Sequence, residues 1–406
     1  MENNIFTKKK KKTHTILIPE MMEYHFDLIC AAFKNSKYNM EVLNYKNDDI
    51  EETGLRYLNN DICYPCILIV GQLISSLNHK IYDPDKIAFL IPQTGGACRA
   101  GNYYFLIKKA LKSAGYENIP VISLNMSGNE KHPGFKLSLK LGFSLISAAL
   151  YGDLLESLYL SIRAKEKEEG KALELYNKWN RLLSDDIKNN KSIRRHQFKK
   201  RVKEIIADFN KIETIEINMP RVGIVGEIYI KSCKLGNNNL EDYLVKNKVD
   251  YYMSGFTSYC IYVAETTIDQ FLDKHLFLKK LKFIHNMPIK WLNKKQRLIS
   301  KPLNDNGYTF VSYNELKRFA DDVVPFKFST ADGWLVSAEI MTLIEKGYNK
   351  IIVASPFGCL VSHVCSKGII RKIMKKYPNS IVYSIEYDSS LSPVLQESRI
   401  QLILQS

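Results

Sequence analysis

The sequence predicts an α/β protein of two similar domains, each a four-stranded parallel sheet flanked by helices, with a helical insertion between them. Three observations carry that expectation. Short apolar runs alternate with amphipathic helical stretches from Thr15, cease near Phe135, and resume at Arg221. The third strand of each half ends in proline, glycine and cysteine ahead of a new helix, in "FLIPQTGGACRAGNYYFLIKKAL" and "IIVASPFGCLVSHVCSKGIIRKIM". The next strand then begins at a similar distance, Cys98 to Val121 and Cys359 to Ile381. That agreement points to an internal duplication.

In order along the chain, Lys8–Lys12 reads as a solvated basic tail over residues 1–13. The first α/β domain, 14–134, has strands at His14–Ile18, Met40–Leu43, Ile87–Ile91 and Val121–Leu124. Its helices are expected at Met21–Phe33, Pro65–Leu77 and Ala100–Ala114, the last closed by Gly115. Residues 135–215 carry leucine, tyrosine and charge at helical spacing, which predicts two or three long helices. The second α/β domain, 216–406, has strands at Val222–Val225, Tyr251–Met253, Ile351–Ala354 and Ile381–Ser384, with a helical insertion over 258–325. Further helices are expected at Leu240–Lys246 and Ser392–Leu404.

Composition narrows the function. The 406 residues are 45 % apolar and 25 % charged, a globular balance that excludes a mostly disordered or fibrous chain. Lysine and arginine number 58 against 43 acids, giving +15, a third of it from Lys8–Lys12. A second basic cluster, Lys191 to Lys203, reads as a solvated helix face. Neither has the interleaved aromatics of a nucleic-acid reader, so nucleic acid is set aside as a partner. No run approaches the roughly 18 continuous apolar residues that cross a bilayer. The stretches Ile67–Ile74 and Leu141–Leu150 are core-sized. No apolar region follows the lysines as in a secretory signal, and the chain is expected in the cytoplasm without membrane attachment.

In that compartment the eight cysteines suggest metal binding, catalysis or plain burial rather than disulfides. Cys30, Cys233 and Cys260 read as small buried apolar residues. Cys98 and Cys359 leave strands at the carboxyl edge of a parallel sheet, where ligands gather, and each starts a helix. A helix start favours the thiolate through its unpaired N–H groups. Gly95, Gly96 and Gly358 let the backbone approach a bulky group. Cys63 precedes Pro65, an early-helix proline, and sits at a third helix start. Three soft ligands suit an open metal cluster better than a structural zinc, which closes with four. His363, Cys66 or Cys365 could add a fourth, although for each a hydrogen-bonding, surface or buried role is the stronger reading.

The segments "NNDICYPCILIVGQLI", "IPQTGGACRAGNYYFLIKKALKSAGYENIPVISLN", "RVGIVGEIYIKSCKLGNNNLEDYL", "DGWLVSAEI" and "ASPFGCLVSHVCSKGIIRKI" resemble the 2-hydroxyacyl-CoA dehydratase family. The likeness is to the iron–sulfur carboxyl-terminal portion of its large activase-related proteins, which is similar to the 2-hydroxyglutaryl-CoA dehydratase component and the double-cubane cluster proteins. It runs from about His14 to Ser406. The resemblance implies a 4Fe-4S cluster, or a double-cubane variant, held by Cys63, Cys98 and Cys359. It also implies a separate ATP-hydrolysing activase of the sugar-kinase and actin type, since this chain has no P-loop and uses ATP only through a partner. A second cluster subunit or a second copy is a further implied partner. The chain departs from the family beside Cys359, where "FGCLVSH" lacks the usual proline and asparagine and Cys365 replaces a small residue.

The reaction so implied is dehydration of a 2-hydroxyacyl-CoA through one-electron reduction to a ketyl radical, or reduction of another small molecule. Gln93 and Arg99, flanking Cys98, and Glu227, closing "VGIVGE", are the candidate catalytic side chains. Glu227 equally suits a structural hydrogen bond and Arg99 a solvated helix start. Asn237–Asn239 read as a polar turn, and Glu339 as helix surface or a structural pair. A non-catalytic electron-carrying or scaffold subunit is the alternative function.

Overall fold

A computed structural model describes the chain apart from residues 1–3, 93–97, 125–131, 192–194, 217, 276–285 and 406. Strands β1 (Thr15–Pro19), β2 (Asn39–Leu43), β3 (Ile87–Pro92) and β4 (Val121–Leu124) form one sheet in the order β2-β1-β3-β4. Strands β5 (Arg221–Gly226), β6 (Asp250–Met253), β7 (Lys350–Pro356) and β8 (Ile381–Tyr387) form a second in the order β6-β5-β7-β8. Every pairing is parallel. The central strands are buried end to end, as Ile87–Ile91 and Ile351–Pro356 show, because helices cover both faces. The two halves share one topology, as the twin strand-proline-glycine-cysteine passages lead one to expect.

In each sheet the chain leaves the first strand toward one edge and returns to build toward the other. The reversal opens a crevice beyond the carboxyl ends of β1 and β3, and another beyond β5 and β7. Cys98 follows β3, Glu227 follows β5 and Cys359 follows β7.

The intervening segment forms three helices, Leu139–Arg163, Lys171–Lys188 and Arg195–Phe209. Leu139–Arg163 is, among the described residues, the one helix long and apolar enough to cross a membrane. Its most apolar window is 78 % buried inside the protein, so its leucines serve the core. That core is continuous, running from Leu17 and Phe89 through Leu154 and Leu158 to Ile224 and Ile352. A second cluster around Trp334 fills the other face of the second sheet.

Asp153 joins the halves by a buried polar contact. One of its oxygens lies 2.8 Å from His25 Nε2, in the first half. The carboxylate also accepts from the Phe256 and Thr257 amides at 2.7 and 3.1 Å, and from the Thr257 hydroxyl. The helix Phe256–Lys274 begins at Gly255, which has no side chain to cap it, so Asp153 supplies the cap from a distant helix.

One expectation needs correction, and the structure decides between two open readings of Glu339. Residues 4–13 are not a loose tail: Phe6 is fully buried, Lys10–Thr13 is a short helix, and Lys11 Nζ sits 3.7 Å from the centre of the Tyr38 ring. The charge run hides the one apolar anchor that precedes it. Helix Gly333–Glu345 is almost wholly buried, and Glu339 within it is a structural pair rather than helix surface. Glu339 meets Lys231 Nζ at 3.2 Å, both side chains being nearly inaccessible.

Candidate metal centre

Cys63, Cys98 and Cys359 each occupy the residue that caps a helical segment: Tyr64–Asn78, Arg99–Asn102 and Leu360–Cys365. The backbone explains why. Pro65 fits the first helical turn, where its missing N–H leaves no bond unmade. Gly358 takes a left-handed φ of 67° to turn the chain from β7 into Cys359. The Cys98 sulfur accepts from the Ala100 amide at 3.4 Å and the Cys359 sulfur from the Ser362 amide at 3.5 Å.

Glu227 repeats the arrangement after β5. Gly226, at φ 129°, brings the chain so close to β7 that a Cβ there would lie 2.0 Å from the Ala354 carbonyl oxygen. Glu227 then caps Ile228–Ser232, its carboxylate accepting from the Ile230 amide at 2.8 Å.

These four positions converge electrostatically. Burial pushes the Cys63 thiol well up, the negative charge of Glu227 adds to it, and Cys359 and Cys98 contribute further, while a hydrogen bond from Tyr103 opposes the rise. The Cys359 thiol is likewise raised, first by burial and then by Glu227 and Asp332, against the bonds from Ser362. Asp332 is pushed up to about 8 by burial and by Glu227, with Lys231 opposing. Glu227 itself is raised by burial, partly offset by its amide bonds and Lys231. Tyr259 feels both Glu227 and Cys98. Residues from both sheets thus share one electrostatic neighbourhood.

The helix starts predict thiolates, and in the protein without metal burial reverses that. A helix-end field is worth about 0.3–1 kcal/mol, whereas burial can move a pKa by up to about 3–5. Burial therefore holds the thiols at 63 and 359 neutral. All three site cysteines keep partial exposure, whereas Cys30, Cys66, Cys233 and Cys365 are buried, as their reading as core residues implies for Cys30 and Cys233. Cys260 is only partly buried and lines a cavity.

The other candidates sort differently. Arg99 is exposed and donates to the Asp61 carbonyl, two residues before Cys63, so it joins the two cysteine loops instead of facing the thiols. Gln93, Gly95 and Gly96 lie outside the described residues. His363 donates to the Cys359 carbonyl at 2.8 Å and lies 3.3 Å from Glu386, both ring nitrogens engaged away from a ligand position. Cys365 is fully buried, pushed up to about 12 by burial and by Asp332 and Cys359, which keeps it beside the site. Cys66 is pushed up to about 12 by burial alone. Asn237 bonds the Ile230 and Lys231 carbonyls, and Asn238 and Asn239 adopt left-handed turns, as turn chemistry requires.

Asp332, Tyr103 and Tyr259 are missing from the sequence reading. Asp332 opens the quoted "DGWLVSAEI" and Tyr103 follows Cys98 by five residues, signals that point to the site only once Cys98 is placed.

Among the described residues the three cysteine sulfurs do not form a set within 4.8 Å of one another; His25, Asp153 and Glu156 do. The three sulfurs are therefore not gathered as donors to a single ion, although Cys63 feels both of the others. The His25 set is explained structurally, since both Asp153 oxygens are already engaged by the helix it caps. The chain matches no model of a known protein family, and no curated protein matches it. The family likeness rests on the motifs quoted above.

Proposed function

We propose that this chain is an iron–sulfur-dependent low-potential reductase or 2-hydroxyacyl-CoA dehydratase-like enzyme, with a 4Fe-4S cluster or double-cubane variant on Cys63, Cys98 and Cys359. A separate ATP-hydrolysing activase reduces it in the cytoplasm, and pairing with a second cluster subunit or copy belongs to the same reading. One observation carries it: Cys63 feels Cys98 and Cys359 although 35 and 296 residues separate them in the chain. Helix-capping thiols from three loops, partly exposed and not gathered as donors to a single ion, are a donor set that fits a cluster.

When bound, the cluster supplies a low-potential electron and an iron open to substrate oxygen. The chain's own residues hold protons and orient donors. Asp332, raised to about 8, is a neutral acid at pH 7 and can donate a hydrogen bond or proton. Glu227, buried and raised, can hold a proton at its carboxylate beside Cys63 and Cys359. Tyr103 donates to the Cys63 sulfur, which favours its charged, ligating form. Arg99 fixes the Cys98 loop on the Cys63 loop rather than meeting substrate.

Anaerobic reduction by an activase with ATP, followed by addition of acyl-CoA substrates, tests the reading. Substrate-dependent reoxidation supports the enzyme. Reduction without any reoxidation supports the electron-carrying or scaffold alternative, and a protein that binds no iron overturns both.

A further inference from the structure

An apolar cavity of about 310 Å³ lies beyond the carboxyl ends of β1, β3 and β4. Ile18, Ile29, Phe33, Leu90, Leu150 and Ile261 wall it, drawing on the first sheet, the Leu139–Arg163 helix and the Phe256–Lys274 helix. Its size falls at the lower end of small-molecule pockets. None of Cys63, Cys98 and Cys359 lines the cavity, although Cys260 does and the preceding Tyr259 feels Cys98.

The polar groups on its wall are mostly spent. The Thr257 hydroxyl donates to Asp153. Gln296 Nε2 donates to Thr257 and Ser258 at 2.9 Å, and its Oε1 accepts from the Tyr313 amide. Lys295 is different. It lines both the cavity and an adjoining hollow shared with Arg195, Phe143 and Trp291. Its Nζ stands 5.2 Å from the centre of the Trp291 ring, and among the described residues neither Lys295 nor Arg195 has a carboxylate partner. Burial and the neighbouring Arg195 charge both press Lys295 toward its neutral form, so an anion there relieves both.

We propose that this cavity binds an amphiphilic carboxylate, its medium-length aliphatic chain inside and its head group on Lys295 and Arg195. The apolar walls supply affinity through burial, and the two cations select the charged end.

Calorimetric titration of the full chain with decanoate, and separately with decanol, tests this. The expected result is one saturable site per chain, with decanoate bound about tenfold tighter than decanol. Lys295→Gln should abolish that preference and leave decanol affinity unchanged. Ala149→Phe, on the cavity wall, should abolish binding of both, with circular dichroism confirming the fold. Ile146→Phe obstructs the same space should Ala149→Phe fail to fold. No saturable decanoate binding, equal affinity for the two probes, or undiminished binding by a folded cavity-filling variant overturns the proposal. The titration does not depend on iron, so its outcome is read separately from that of the cysteine site.

Discussion

The guanidinium of Arg99 donates to the backbone carbonyl of Asp61, so the residue after one candidate ligand grips the chain two residues before another. Both partners are exposed, which keeps the bond's contribution to global stability small. Arg99→Ala is therefore expected to move the unfolding midpoint by less than about 2 °C. It should nonetheless speed loss of iron from the anaerobically prepared protein in air, by freeing two ligand loops from each other. Release of iron to a chromogenic chelator follows this directly, and an unchanged rate would place the tether outside the site.

Asp332 sets a pH signature in the metal-free protein. Its folded pKa, about 8, lies above its ordinary value of 3.8. Between those values the folded state therefore binds more protons than the unfolded one. The stabilisation is complete below about pH 4 and is lost as pH rises toward 8. Asp332→Asn should flatten this part of the stability curve, measured by urea unfolding at several pH values. A wild-type curve without that decline would show that Asp332 ionises normally.

Removing the Asp153 carboxylate should be far more damaging than removing Arg99. Asp153→Ala leaves His25 and the Phe256 and Thr257 amides unpaired in a buried junction between the halves. The expected cost is about 3–5 kcal/mol in denaturant unfolding. A loss under about 1 kcal/mol would mean that water takes over the cap.

The buried Lys231–Glu339 pair gives a double-mutant test. Lys231→Met alone strands the Glu339 carboxylate and should cost about 3–5 kcal/mol. Adding Glu339→Gln should recover most of it, because the uncompensated charge is gone. Additive losses in chemical unfolding would show that the two side chains act independently.

Much of the architecture was legible in the sequence. Val121–Leu124 and Leu240–Lys246 are found with the bounds their apolar patterns predict, and the other strands differ by one to three residues at their ends. Apolar period and turn residues are local signals. The cap that Asp153 provides across about a hundred residues is not local, and no spacing rule points to it. Phe6 was hidden by the lysines beside it, and Asp332 carried no signal of its own because the leading causes that raise it, burial and the charge of Glu227, come from distant elements. The helix-start positions of the three cysteines were legible, but their protonation was not, because burial is a property of the assembled halves.

Iron and acid-labile sulfide analysis of anaerobically purified protein tests the central claim most directly, with each cysteine in turn replaced by alanine. The expected result is a brown protein holding about four irons per chain. Its iron should be lost on Cys63→Ala, Cys98→Ala or Cys359→Ala and kept on Cys30→Ala or Cys233→Ala. A colourless protein, or iron content indifferent to Cys98→Ala, contradicts it.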